Sequence, residues 1–83
     1  MTKKELKYDK TIDVRGLLCP FPILKAEENI RKLESGNILE ILATDPKSKT
    51  DIPTWATKKG HQLLLMEDEW ISIRFLIKKS SVK

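Results

Sequence analysis

Two closely spaced prolines directly after the only cysteine constrain this chain more than any other feature. Cys19 is followed by Pro20, Phe21 and Pro22. A residue before proline is disfavoured in helical geometry, and proline fits a helix only in its first turn, where the missing N–H would have no intrahelical acceptor. The spacing therefore predicts that a helix begins here, with Cys19 as its N-cap and the prolines at its first and third positions.

A sulfur atom at the start of a helix lies at the positive end of the helix dipole, which favours thiolate over thiol and lowers the pKa of the cysteine. The two prolines remove N–H groups from this helix end, so the predicted effect is moderate and the Phe21 amide is the expected donor to the sulfur of Cys19. Arg15 is close in sequence and would add positive charge. The alternative from the residues alone is that a single cysteine is only a small buried apolar side chain.

The residues around the cysteine resemble the signature of a known family. Asp13, Gly16, Cys19, Pro20 and Pro22 form the pattern Asp-x-x-Gly-x-x-Cys-Pro-x-Pro, which is similar to that of the TusA/SirA sulfur-carrier family. Later landmarks recur in the expected order, namely Gly36 with the aliphatic run after it, Asp45-Pro46, Asp51-Ile52-Pro53 and Gly60-His61. The resemblance covers roughly residues 10 to 78.

The resemblance implies a carrier that holds sulfane sulfur as a persulfide on Cys19 and relays it between proteins. The implied donor is a cysteine desulfurase or another persulfide protein, and the implied acceptor is a protein of tRNA 2-thiolation, molybdenum-cofactor assembly or sulfur oxidation. This is relay rather than turnover of a small molecule, so whether the chain is an enzyme stays open, although members are often described as sulfurtransferases. We take as supporting residues Asp13, Arg15, Gly16, Pro20, Phe21 and Pro22.

Length and charge predict one small domain without a membrane segment. The chain has 83 residues and a net charge of +4. Many of the lysines that give the chain its excess positive charge lie near the two ends, where we predict flexible tails at 1–8 and 79–83. We therefore do not expect direct binding of nucleic acid. No apolar run approaches the roughly 20 residues of a membrane span, and the first residues lack a secretory signal. A cytoplasmic monomer is the expectation, and one cysteine fits a reducing compartment.

Apolar periodicity predicts six elements in the order βαβαββ within a single domain, 1–83. The first helix should end at Gly36, and Pro53 should lie in the first turn of the second helix. We predict strands over 10–14, 38–43, 62–67 and 70–78, a helix over 20–33, and a helix from its cap Asp51 to a stop at 58–60.

The faces of these elements predict how they pack. In the last strand Ile71, Ile73, Phe75 and Ile77 alternate with more polar residues, so that strand has one clean apolar face. Both helices must therefore cover the same face of the sheet. The predicted fold is an α/β (α+β) two-layer sandwich with a four-stranded mixed sheet, in which the second strand is central and parallel to the first. The resemblance implies the same fold.

Other kinds of site find little support in the sequence. One cysteine and one histidine cannot fill a closed zinc site, and no second cysteine forms a redox pair. The three glycines do not form a phosphate-binding loop. We therefore expect no metal and no cofactor, and we interpret His61 as an ordinary loop histidine.

Two alternative functions remain, a small RNA-binding module and a regulatory interaction module of the same fold. Against RNA binding, the aromatic residues do not form a stacking platform, and Phe21 and Phe75 are interpreted as structural. Leu17 and Leu18 have two interpretations. They either pack as a lid on the core, or one of them forms an apolar collar beside Cys19 that a docking protein could contact.

Overall fold

The computed structural model describes residues 7–18 and 20–80. It confirms the predicted order of elements. The remaining parts of the predicted tails, 1–6 and 81–83, lie outside the described residues. None of the helices in the described part is long and apolar enough to cross a membrane. The elements are β1 (Lys10–Val14), α1 (Phe21–Arg31), β2 (Ile38–Ala43), α2 (Ser48–Lys58), β3 (Gln62–Asp68) and β4 (Ile73–Lys78).

The four strands form one mixed sheet in the order β1-β2-β4-β3. As predicted, β2 is central and parallel to β1, while β4 is antiparallel to both β2 and β3. This pairing sets Val14, Ala43, Ile73 and Asp68 side by side in consecutive strands. We call this edge the Val14 end of the sheet, and the opposite edge, where β1 begins, the Lys10 end.

One face of the sheet and both helices enclose the core, which confirms the two-layer sandwich. The β-branched and aliphatic residues of the central strands alternate, so every second side chain points at the helices. Each helix adds one buried stripe, because apolar residues recur at helical spacing. The core cluster includes Ile12, Val14, Leu39, Ile41, Ala43, Ile73, Phe75 and Ile77 from the sheet and Ala26, Ile30, Ile52, Trp55 and Ala56 from the helices.

Helix α2 begins earlier than predicted, at Ser48. The prediction of Asp51 as its cap was wrong because Asp45 already starts the turn. The Asp45 carboxylate accepts the Lys47 N–H (3.1 Å), and the Asp45 carbonyl accepts the Ser48 N–H (2.9 Å). Pro53 therefore lies inside the helix rather than in its first turn, where it removes one intrahelical donor.

The two helices end in different ways. Helix α1 ends at Arg31, before the predicted stop at Gly36, because the Leu33 N–H bonds back to the Ile30 carbonyl (3.1 Å) in a tightened last turn. Gly36 has a φ of +90° and belongs to the loop that follows. Gly60 does end α2 as predicted, since its φ of +80° is a left-handed conformation that favours glycine.

The β3–β4 hairpin is longer at its tip than predicted. Strand β4 begins at Ile73, opposite the last residue of β2, Ala43. Residues before Ile73 have no partner in β2. The apolar alternation of the sequence nevertheless continues to Ile71, beyond the end of the sheet. The prediction that Ile71 is buried was therefore wrong, because its side chain is 69% exposed, and Trp70 beside it is 96% exposed.

An ion pair occupies the middle of the face that no helix covers. Glu40 is only 7% exposed. Its carboxylate accepts hydrogen bonds from the Thr11 hydroxyl (2.8 Å) and from the Arg74 Nε. The hydrogen bond to Glu40 is the largest of the causes that raise the pKa of the Arg74 guanidinium above its ordinary value. The Tyr8 ring lies over that guanidinium, 5.8 Å from its carbon.

Replacing Arg74 by Met should destabilise the protein, because the nearly buried Glu40 carboxylate loses its counter-charge. We expect the free energy of unfolding at neutral pH to fall by about 2 kcal/mol. The double variant Glu40→Gln, Arg74→Met removes the stranded charge and should recover about half of the loss or more. Urea denaturation followed by circular dichroism measures both. Equal stability of the single variant and the wild type would contradict this account of the pair.

His61 is packed into the Lys10 end of the sheet. Its N–H closes the end of α2 by donating to the Ala56 carbonyl (2.8 Å), and its Nδ1 accepts the backbone N–H of Ser80 (2.9 Å). The ring lies 5.5 Å from the ring of Trp55, whose Nε1 donates to the Glu27 carboxylate (2.8 Å). Burial lowers the pKa of His61 below its ordinary 6.5. The neutral His61 ring thus connects the segment after β4 to the end of α2.

Acidification should weaken the fold through His61. Because the folded protein has the lower pKa, the unfolded chain binds the proton first, and the free energy of unfolding should decrease as the pH falls below about 6.5. An NMR titration of the imidazole and urea denaturation between about pH 7.5 and pH 5.5 measure the two effects. In His61→Asn the amide oxygen can still accept the Ser80 N–H without titrating. Identical pH dependence in this variant and the wild type would contradict the role of His61.

Candidate functional site

The segment between β1 and α1 turns sharply at the Val14 end of the sheet. The Leu17 N–H donates to the Val14 carbonyl (3.1 Å), which closes the turn. Gly16 inside it has a φ of +88°, where a side chain would be strained even though an added Cβ would meet no atom within 4 Å. The glycine of the motif therefore allows the backbone conformation of the turn that precedes Cys19.

Asp13 and Arg15 form a two-point ion pair at the base of this turn. The Arg15 Nε and Nη2 atoms donate to the two carboxylate oxygens of Asp13 (2.9 and 2.8 Å). The Arg15 backbone N–H donates to the same carboxylate (3.1 Å). These hydrogen bonds from Arg15 lower the pKa of Asp13 to about 2. The guanidinium is thus engaged with Asp13, so the positive charge predicted near Cys19 is a paired one.

Thr44 is a member of the site that the sequence did not reveal. Its hydroxyl oxygen accepts the backbone N–H of Gly16 (2.8 Å) and so holds the turn against the end of β2. The two residues are far apart in sequence, but parallel strands bring their carboxyl ends together, and Val14 pairs with Ala43. Correct pairing of β1 with β2 was predicted, and extending it by one residue would have pointed to Thr44.

Helix α1 starts one residue later than predicted. Pro20, not the residue before it, occupies the N-cap, with φ −94° and ψ 12°, and Pro22 lies in the first turn. The Phe21 N–H donates to the Leu18 carbonyl (2.9 Å). The prediction that this amide meets the sulfur was therefore wrong, because a local turn takes the donor first. Cys19 itself lies outside the described residues.

Apolar residues lie on both sides of position 19 along the chain. Leu17 is half-buried and packs against the core, so the lid interpretation holds for it. Leu18 is 68% exposed, as the collar interpretation requires, and Phe21 and Leu24 are 57% and 56% exposed. The structural interpretation of Phe21 was wrong, since its neighbour Pro22 takes the buried position at the helix start. We call Leu18, Phe21 and Leu24 the collar.

The histidine and the collar lie at opposite ends of the molecule. Leu18 follows the turn at the Val14 end, whereas His61 precedes β3 at the Lys10 end. Strand β4 runs the length between them over 6 residues, which is about 20 Å at 3.3 Å per residue. This separation of Leu18 from His61 gives no support to a cysteine–histidine dyad. Among the described residues, no three His, Cys, Asp or Glu side chains are grouped as a metal site.

Arg15→Met should raise the pKa of Asp13 from about 2 toward its ordinary 3.8, because the side-chain hydrogen bonds of Arg15 are the largest cause that lowers it, while the hydrogen bond from the backbone N–H remains. An NMR titration of the Asp13 carboxyl carbon measures this change. Lys25→Met is the matched control, since it removes a cation that is not among the causes of the Asp13 shift. A pKa that remains near 2 in Arg15→Met would contradict the two-point ion pair.

Comparison with known proteins gives this site a family context. A family model described as Sulfurtransferase TusA matches residues 10–79. The chain is 43% identical over 74 residues to YrkI of Bacillus subtilis (strain 168), which covers 89% of this chain and 99% of the relative. It is 40% identical over 73 residues to the sulfur carrier protein TusA of Allochromatium vinosum, covering 88% and 96%. The crystal structure of a SirA-like protein from Desulfitobacterium hafniense matches with a TM-score of 0.76 and 26% identity, over 87% of this chain and 99% of that one.

Proposed function

This chain belongs to the TusA family of sulfur carriers, and from that membership we propose that it carries sulfane sulfur as a persulfide on Cys19. The Cys19 thiolate attacks the outer sulfur of a persulfide on a donor protein. The sulfur–sulfur bond of the donor breaks, its cysteine leaves as a thiolate, and Cys19 gains one sulfur atom. An acceptor cysteine then repeats the same exchange on Cys19. Neither step needs an oxidant or a reductant.

The observation that carries this proposal is a lone cysteine at a braced and apolar turn. Cys19 is the only cysteine in the chain, so no second thiol can attack the inner sulfur and release sulfide. On one side of it the turn is held by Asp13, Arg15 and Thr44, and on the other by α1. The exposed collar residues lie on both sides of it along the chain, and such side chains favour contact with another protein.

The start of α1 suits a sulfur anion through its dipole more than through single donors. Pro22 has no N–H, and the Phe21 N–H is already given to Leu18. What remains is the positive end of an 11-residue helix, whose field favours an anion near its first turn. We propose that this field assists both the thiolate of Cys19 and the persulfide that it carries.

The proposed partners are those that the family resemblance implies, and the chemistry of exchange is compatible with them. The donor is a cysteine desulfurase or another persulfide protein, and the acceptor is a protein with a free thiolate. The acceptors of tRNA 2-thiolation are one proposed destination, and molybdenum-cofactor assembly and sulfur oxidation use the same chemistry. We also propose that the carrier acts as a cytoplasmic monomer without a metal or cofactor, since each exchange involves only two cysteines.

Intact-mass spectrometry after incubation with a cysteine desulfurase and cysteine tests the proposal. We expect the wild type to gain the mass of one sulfur atom, which a thiol reductant then removes. Cys19→Ser should gain nothing, while Arg15→Met, which keeps the cysteine, serves as the control for a folded chain with an altered turn. A wild type that gains no sulfur from the desulfurases or from any other persulfide protein of its source genome would overturn the proposal.

A further inference from the structure

A second exposed apolar feature lies at the tip of the β3–β4 hairpin. We call residues 69–72 the hairpin tip. The Glu69 N–H donates to the Ser72 carbonyl (2.7 Å), so the tip is a closed turn rather than a loose end. It holds Trp70, 96% exposed, and Ile71, 69% exposed, on neighbouring positions. Large apolar side chains grouped on a closed turn are typical of a surface that another molecule covers.

The hairpin tip and the collar lie at the same end of the sheet. Val14, Ala43 and Ile73 stand side by side in β1, β2 and β4. The turn toward Leu18 follows Val14, and the tip precedes Ile73. Both features are therefore carried at the Val14 end.

A groove lies between the hairpin tip and the end of β2. It has a volume of about 200 Å³ and runs from Thr44 and Pro46 to Trp70 and Ile71. Thr44 also accepts the Gly16 N–H, so the wall of the groove is attached to the turn that leads to Cys19. The groove thus places the hairpin tip beside the residue that holds the turn, and the ion pair of Lys49 and Asp68 also lines it.

The dimensions of protein interfaces decide whether one partner reaches both features. Neighbouring strands lie about 4.8 Å apart, so β4 is roughly 10 Å and β3 roughly 15 Å from β1 at the Val14 end. A standard interface covers about 800 Å² on each partner, a patch roughly 30 Å across. A patch of this size that includes the turn after Val14 can therefore extend to the hairpin tip.

We propose that the hairpin tip is a docking element for the protein that delivers persulfide sulfur to Cys19. This inference rests on the proposed function and adds to it the surface that the donor recognises. Trp70 is the anchor, because a tryptophan offers a large apolar area with few rotatable bonds and is enriched among residues that dominate binding. The donor must accordingly present an apolar pocket beside its own reactive cysteine.

Two ways of loading Cys19 separate docking from chemistry. Inorganic polysulfide needs no docking surface, whereas a cysteine desulfurase does. We expect Trp70→Ala, and independently Ile71→Ser, to be loaded by polysulfide at the wild-type rate but by the desulfurase about 10-fold more slowly at limiting carrier concentration. Mass spectrometry over time gives both rates. Tyr8→Ala is the matched control, since Tyr8 is an exposed aromatic on the face without helices, and it should behave as the wild type.

The outcomes distinguish this inference from the proposed function. If both tip variants are loaded by the desulfurase as fast as the wild type, the hairpin tip is not a docking element, and persulfide carriage on Cys19 still stands. If polysulfide loading slows by the same factor, the variants act on Cys19 itself, and the docking role is overturned. If the wild type takes up sulfur from polysulfide but never from a desulfurase or another persulfide protein, both proposals fail.

Discussion

The parallel pairing of β1 with β2 is the constraint on which the functional half of this molecule depends. Because both strands end at the same edge, the turn after Val14 lies beside Thr44, whose hydroxyl accepts the Gly16 amide. The antiparallel strand β4 begins at that edge, so the hairpin tip is carried there too. A change in register would separate the turn, the groove and the tip, although each could keep its local structure.

Much of the fold could be predicted from the sequence, since it follows from local periodicity. The TusA/SirA resemblance and the two-layer sandwich are confirmed. The errors came where a short-range hydrogen bond competed with a general preference. Asp45 started α2 before Asp51 could cap it, and Leu18 took the Phe21 amide. Ile71 continues the apolar alternation of β4 beyond the last residue that pairs with β2. Alternation alone could not show that Ile71 has no partner residue in β2.

The sequence singled out candidate site residues but not the contacts between them. Asp13 and Gly16 stood out through the family pattern, and the two prolines through their conformational preference. Contacts across a long sequence separation, such as Thr44 with Gly16 or Trp55 with Glu27, are not indicated by any local sequence pattern. They depend on where elements meet in space, and a single sequence does not supply that information.

The ion pair of Glu40 and Arg74 gives the open side of the sheet a second property. Apolar side chains such as Leu76 lie around it. Sheets with one face that no helix covers tend to stack on copies of themselves. Stacking here would strip the remaining water from a carboxylate and a guanidinium, at a cost that close packing of a few leucines does not readily offset. The ion pair thus disfavours stacking of this face of the sheet on a second copy of the chain.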